Sequence, residues 1–255
     1  MTKLHVIKVG GAVVEDAAAV GAFLDGFAAL EGPRVLVHGG GRSATSLATQ
    51  LGVPTVMVGG RRVTDEAMLR IVTMVYAGQV NKNLVAALQG RGVNALGLCG
   101  ADLGWMRSKR RPVGEVDYGY VGDVCQVDTT ILRDLIVRGV VPVLVPLTYD
   151  GQGQLLNTNA DSIASEAAKA FARDFDVTLT FCFEHPGVLG DPADEGSVIP
   201  RITREDYREY LAQGVISGGM IPKLDNAFAA IDAGVKEVVI TRWDALQPGQ
   251  GTSIV

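Results

Sequence analysis

Short apolar runs alternate along this chain with longer segments of helical period, a pattern that leaves few architectures open. The runs cover residues 5–9, 34–38, 54–58, 93–98, 140–144, 177–183 and 237–241. The helical segments cover residues 14–30, 44–51, 65–89, 129–138, 161–171, 204–213 and 222–233. Such repetition predicts an α/β fold with a mainly parallel central sheet flanked by helices. Residues 100–128 break the rhythm with Gly, Pro and the alternating string Asp117-Tyr118-Gly119-Tyr120-Val121-Gly122-Asp123-Val124, which predicts a hairpin excursion beside the sheet. A new strand begins near Arg173 after a long helix, so a lobe boundary is expected there, with lobes 1–172 and 173–255 in one contiguous fold.

The first two runs both end in glycine turns, Lys8-Val9-Gly10-Gly11 and His38-Gly39-Gly40-Gly41. Glycine lets the backbone approach an anion closely, and the helix that follows aims its free N–H groups and positive dipole end at the guest. Lys8 adds a mobile full charge. Gly39-Gly40-Gly41-Arg42-Ser43-Ala44 also satisfies the dinucleotide pattern G-x-G-x-x-A, so a Rossmann dehydrogenase is a rival. That fold places an acid on the ribose about 20 residues further on, where this chain reads Val58-Gly59-Gly60-Arg61-Arg62. An esterase reading of His38-Gly39-Gly40-Gly41 needs a G-x-S-x-G elbow, and the sequence has none; it also lacks a Walker A loop.

With 255 residues and 47% hydrophobic content the chain can bury a large core. A net charge of −5 argues against a nucleic-acid surface, so an anionic ligand must be held by local positive charge. No stretch approaches the roughly 18 apolar residues of a membrane span, and the first residues run into a strand instead of a signal peptide. The expected location is the cytoplasm. Cys99, Cys125 and Cys182 are widely spaced and read as reduced, packed thiols, with no metal-ligand cluster.

Three further strings bring charge or polarity to strand ends. Gly60-Arg61-Arg62-Val63-Thr64 offers guanidiniums for bidentate capture of a carboxylate, or a solvated charge pair. Asn157-Thr158-Asn159-Ala160-Asp161 sets short polar side chains before an Ala-rich helix, more than capping alone requires. Gly218-Gly219-Met220-Ile221-Pro222-Lys223 repeats the glycine-to-helix logic, with Lys223 either a site cation or an ordinary helix-start lysine.

Taken in order and spacing, these five strings resemble the N-acetylglutamate kinases of the amino-acid kinase superfamily, over nearly the whole chain. The resemblance implies a three-layer αβα sandwich and transfer of the ATP γ-phosphoryl group to the side-chain carboxylate of an N-acylglutamate, a step of arginine biosynthesis. It implies that Lys8 and Lys223 stabilise the phosphoryl group from opposite sides and that Asp161 holds both lysines. Gly40, Gly41, Arg62 and Asn157 would bind the acceptor, with Arg62 on its α-carboxylate. Lys8, Gly10, Gly11, Gly187, Gly218, Gly219, Met220 and Lys223 would bind ATP, with magnesium arriving on the nucleotide and no protein metal site. His38 is expected to be a hydrogen-bonding partner of its loop. The lobe 1–172 would bind the acylglutamate and dimerise, and the lobe 173–255 would bind ATP. The residue inventory agrees with that chemistry: a glutamate-type carboxylate, with a pKa near 4.3, is already ionised and needs no general base.

Two strings depart from the family pattern. Phe183-Glu184-His185-Pro186-Gly187-Val188 stands where Ser-Asp-Val-x-Gly-Val is usual, which affects adenine contacts. Trp105-Met106-Arg107-Ser108-Lys109-Arg110-Arg111-Pro112 is unusually basic for a stretch near the acyl pocket. It is either solvent-facing charge or a means of admitting an acidic acyl group such as succinyl. The chain begins with its first strand, without the N-terminal helix that builds hexamers and senses arginine in some members, so a homodimer without arginine inhibition is expected, joined through the helix 65–89. A non-catalytic nucleotide or amino-acid sensor is the alternative of another class.

Overall fold

The computed structural model describes residues 1–218, 220–247 and 249–255. The elements of the first half are β1 (Lys3–Val9), α1 (Gly11–Glu15), α2 (Ala17–Ala29), β2 (Arg34–His38), α3 (Gly41–Gln50), β3 (Met57–Val58), β4 (Arg61–Arg62), α4 (Glu66–Val72), α5 (Asn81–Gln89), β5 (Ala95–Leu98), β6 (Met106–Arg110) and β7 (Gly122–Val127). The second half adds α6 (Thr130–Val137), β8 (Val141–Leu144), β9 (Leu147–Tyr149), β10 (Leu155–Asn157), α7 (Ala160–Phe171), β11 (Asp176–Phe183), β12 (Arg201–Ile202), α8 (Arg204–Ala212), α9 (Met220–Asp232), β13 (Glu237–Arg242) and β14 (Thr252–Ile254).

An 8-stranded sheet runs in the order β12-β14-β13-β11-β1-β2-β8-β5, parallel except where β14 meets β13. Side chains of alternate residues leave a strand on opposite faces, so each central strand feeds two cores. Leu4 and Val6 of β1, with Val35 and Val37 of β2, pack under α6, α7 and α9; Ile7 and Val9, with Leu36, pack under α2, α4 and α5. The result is the parallel sheet flanked by helices that the alternation predicted, in the αβα sandwich that the resemblance implied.

The excursion does form antiparallel pairs, β6 with β7, and joins β9 and β10 in a separate 4-stranded sheet, order β10-β9-β6-β7. Residues 54–58 differ from expectation. They stay out of the main sheet, and β3 folds back on β4 instead. Gly59 and Gly60 both take positive φ, +55° and +74°, which suits a tight two-residue hairpin turn. The segment 14–30 is two helices, because Asp16 is extended (φ −96°, ψ 117°) and its carboxylate caps α2 at the Ala19 N–H, 2.8 Å away. The segment 65–89 is continuous, but residues Thr73–Val80 widen into a π-helix between α4 and α5. Its apolar stripe is mostly core, since Met68, Val72, Val75 and Val80 are buried while Met74 is exposed. Cys182 is buried as expected; Cys99 is only partly so, and Cys125 is exposed on β7.

Candidate active site

The two glycine turns leave the C-terminal ends of adjacent parallel strands, so they meet. A Cβ on Gly39 would lie 2.9 Å from the Gly11 nitrogen, and one on Gly11 would lie 3.2 Å from the Gly40 nitrogen. Backbone faces backbone there, which leaves no room for side chains and exposes amide groups to a guest. A Cβ on Gly40 would strike the Tyr76 ring at 2.9 Å, so the π-helix forms the outer wall of the second turn.

Two cavities open on either side of these turns. The smaller, about 210 Å³, is lined by Gly39, Gly40, Gly41, Arg61, Arg62, Tyr76, Val121 and Asn157, among others. The larger, about 840 Å³, is lined by Gly10, Gly11, Arg42, Cys182, Phe183, His185 and Lys223. Gly41, Met57 and Arg62 border both, which marks the junction.

Each charged group has an identifiable support. Lys8 leaves β1 on the α7 side, and its ammonium meets Asp161 Oδ1 at 2.8 Å. Asp161 sits in the first turn of α7, held there by Asn159, whose Oδ1 accepts from the Asp161 and Ser162 amides. Lys223 rises from the first turns of α9 and lies 3.7 Å from the centre of the Phe183 ring; the Lys8 ammonium is 5.5 Å from the same centre. Both cations therefore lie about one aromatic ring. Burial pushes the Lys223 ammonium below the ordinary lysine value; Lys8 adds to the fall, and Asp161 opposes it.

Arg62 is buried and donates to Gly41 O and Thr45 Oγ1, both at 2.8 Å. Asn157 donates to Thr64 Oγ1 at 2.9 Å, and Thr64 in turn donates to Arg62 O. The excursion completes this wall: Thr64 N donates to Tyr118 O, and Tyr120 N donates to Thr64 O.

His38 is fully buried, and burial pulls its imidazole down to about 4. At neutral pH it is uncharged, and it bonds its own loop at Gly39 O, 2.7 Å away, in keeping with the role read from the sequence. The sequence reading missed Tyr76, Asn81 and Glu15. Glu15 Oε1 accepts from the Ser43 amide at 2.6 Å, capping α3 from 28 residues away where Gly40 has no side chain to do so. No local motif announces such a long-range cap.

Of the expected nucleotide contacts, Lys8, Gly187, Gly218 and Met220 line neither cavity. Gly187 packs into the fold, since a Cβ there would meet Thr252 Oγ1 and Val198 Cγ1 at 2.8 Å. Gly218 is a turn residue with φ +55°. Met220 opens α9 with its side chain against the core. Gly219 falls outside the described residues.

The basic stretch turns out to be mostly structural. Arg107 donates to the Tyr149 hydroxyl, Arg110 to Gly119 O, and Arg111 to the Asp123 carboxylate. The Arg111 guanidinium holds the Asp123 carboxyl below the usual range. Arg61 lines the smaller cavity and forms no hydrogen bond or ion pair among the described residues.

No helix among the described residues is long and apolar enough to cross a membrane. The amino acid kinase family model matches residues 3–242. An acetylglutamate kinase from Bacteroides fragilis is 62% identical over 252 residues, covering 99% of this chain and 97% of that one. One from Parabacteroides distasonis is 60% identical over 254 residues, covering 100% of each. The crystal structure of smu.665 from Streptococcus mutans UA159 matches with a TM-score of 0.76 at 30% identity, covering 99% of this chain and 98% of that one. On this match over residues 3–242, from β1 through β13, the chain belongs to the amino acid kinase family.

Proposed function

We propose that the chain transfers the γ-phosphoryl group of ATP to the γ-carboxylate of N-acetyl-L-glutamate, giving N-acetyl-L-glutamyl 5-phosphate in arginine biosynthesis. The observation that carries this reading is the pair of ammonium groups, Lys8 and Lys223, gathered about the Phe183 ring, with Lys223 and Phe183 lining the larger cavity. Relatives at 60–62% identity bear the name acetylglutamate kinase, which supports the acceptor.

The chemical problem is repulsion. Carboxylate and phosphate must approach to about 3 Å, where like charges cost about 5 kcal/mol at an effective dielectric of about 20. Lys8 and Lys223 offset that repulsion by neutralising charge on the transferring group from two sides. Asp161 holds Lys8 in place and accepts no proton, because the acceptor is already ionised. Arg62 and Asn157 hold the α-carboxylate and the acylamide, and the amides of Gly40 and Gly41 serve the reacting carboxylate. Gly10, Gly11, Lys8 and Lys223 serve the nucleotide phosphates. Magnesium, arriving with ATP, would spread the charge of its phosphates.

The lobe 1–172 supplies every residue of the smaller cavity, which supports its assignment to the acylglutamate. The assembly is a cytoplasmic homodimer, favoured by exposed Met74 on the π-helix and exposed Leu96 on the edge strand β5. A coupled assay for ADP release with N-acetylglutamate tests the function. Turnover that vanishes in Lys223→Ala supports it; binding without turnover indicates a sensor.

A second acceptor is favoured by one observation. Exposed Arg61 borders the cavity with no hydrogen bond or ion pair among the described residues, so an acyl group ending in a carboxylate, as in N-succinylglutamate, has a cation to meet. Comparing kcat/KM on the two acceptors in wild type and Arg61→Met decides between them. A preference for succinylglutamate that Arg61→Met reverses supports this second reading, and an unchanged preference for acetylglutamate removes it.

A further inference from the structure

One buried polar network near the site has no role in the account above. Asn81 is the first residue of α5, where the π-helix tightens back, and it is completely buried. Its Nδ2 donates to Val143 O at 3.0 Å and faces His38 Nε2 at 3.1 Å. Its Oδ1 accepts from Lys82 Nζ at 3.1 Å. A carbonyl on one side and an ammonium on the other fix which way the amide points. Nδ2 is therefore a donor toward the ring, and His38 Nε2 must be the acceptor. The neutral imidazole then carries its proton on Nδ1 and donates it to Gly39 O, 2.7 Å away.

That bond sets a peptide plane. The Gly39–Gly40 peptide is trans, so its C=O and N–H point in opposite directions. With the carbonyl held against His38, the Gly40 N–H is turned away from the ring. Gly40 borders the smaller cavity, and its nitrogen lies 3.2 Å from where a Cβ on Gly11 would stand, in the gap between the two turns. Among the described residues that N–H donates to nothing. Flanking glycines offer no steric resistance to a peptide flip, so the orientation rests on the histidine.

We propose that Asn81 is a positioning residue for phosphoryl transfer: by fixing the Nδ1–H tautomer of His38 it pins the Gly39 carbonyl and so aims the Gly40 N–H at the reacting carboxylate. The proposal rests on the kinase reading above. A preorganised donor at a developing charge acts on the chemical step more than on binding. The effect belongs in kcat, and the KM for ATP is untouched.

The test uses the full chain and two readouts. Long-range ¹H–¹⁵N spectra of the imidazoles at pH 7 report the His38 tautomer, expected neutral with Nδ1 protonated. Steady-state ADP release is then compared for His38→Asn, whose amide mimics an Nδ1–H donor, and His38→Gln, whose amide mimics the Nε2 side. His38→Asn is expected to lose less than five-fold in kcat and His38→Gln at least fifty-fold. Asn81→Leu, of similar volume, is expected to lose at least ten-fold in kcat with KM for ATP within three-fold. An Nε2-protonated His38 in the wild type, equal kcat for the two His38 variants, or an Asn81→Leu defect confined to KM overturns the proposal. If Asn81→Leu does not fold, the tautomer and the His38 pair still decide. A wild type without turnover defeats the kinase reading, while the imidazole spectrum continues to test the tautomer.

Discussion

Replacing Lys223 by Met removes one ammonium and keeps most of the side-chain stem. The expected loss depends on how much water surrounds that charge. Lys223 is half-buried over the Phe183 ring, and burial already lowers its proton affinity, so the site is partly dehydrated. A unit charge roughly 4 Å from a phosphoryl oxygen contributes about 4 kcal/mol at an effective dielectric of about 20, against about 1 kcal/mol in bulk water. At about 1.4 kcal/mol per decade, the first figure means a loss of roughly a thousand-fold in kcat and the second only about five-fold. ADP release at saturating ATP and N-acetylglutamate reads the difference. Folding should be unharmed, because burial and Lys8 both disfavour this charge in the native state. A melting temperature equal to wild type is expected. A kcat within ten-fold of wild type refutes the reasoning, since the ammonium would then be screened or remote from the transferring group.

Other perturbations follow from the same geometry. Asp161→Asn leaves the Lys8 ammonium facing an uncharged amide at 2.8 Å; Asp161 is partly exposed, so a loss of about 1–3 kcal/mol, roughly five- to hundred-fold in kcat, is expected in the same assay. The pH profile has a definite sign: Lys223 in the free protein binds its proton less tightly folded than unfolded, so the needed charge is lost as pH rises, and the alkaline limb of kcat/KM lies below the ordinary lysine value of 10.5. Lys223→Arg should move that limb upward, and a limb that stays put assigns it to another group. Gly39→Ala presses a methyl group to 2.9 Å from the Gly11 nitrogen; overpacking of about 1–3 kcal/mol should lower the melting temperature by roughly 3–10 °C, read by calorimetry.

The layers of the fold were legible because the apolar period changes from strand to helix each time the chain crosses the sheet, and both glycine turns stand where that change occurs. The hairpin at Gly59-Gly60 was misplaced because an apolar run carries no record of which sheet it joins; the two glycines with positive φ, not Val56 or Met57, decide it. Lys8, Asp161 and Lys223 could be named from the sequence, since each follows or opens a turn with a recognisable cap or glycine pair. Tyr76, Asn81 and Glu15 could not. They reach the site through a π-helical turn and a cap spanning 28 residues, and neither leaves a periodic signature. The basic stretch stayed open between two readings for a related reason: charge is visible in a sequence, but Gly119 O, Asp123 and the Tyr149 hydroxyl, which occupy those charges, are brought there only by folding.

The central claim is that two ammonium groups from opposite ends of the chain act on one phosphoryl group. A crystal structure with ADP, aluminium fluoride and N-acetylglutamate tests it most directly. The account predicts Lys8 Nζ and Lys223 Nζ each within about 3 Å of the fluoride ligands, on different sides of the plane between donor and acceptor. Either nitrogen left against Phe183 or turned to solvent, with the fluoride plane occupied, contradicts it.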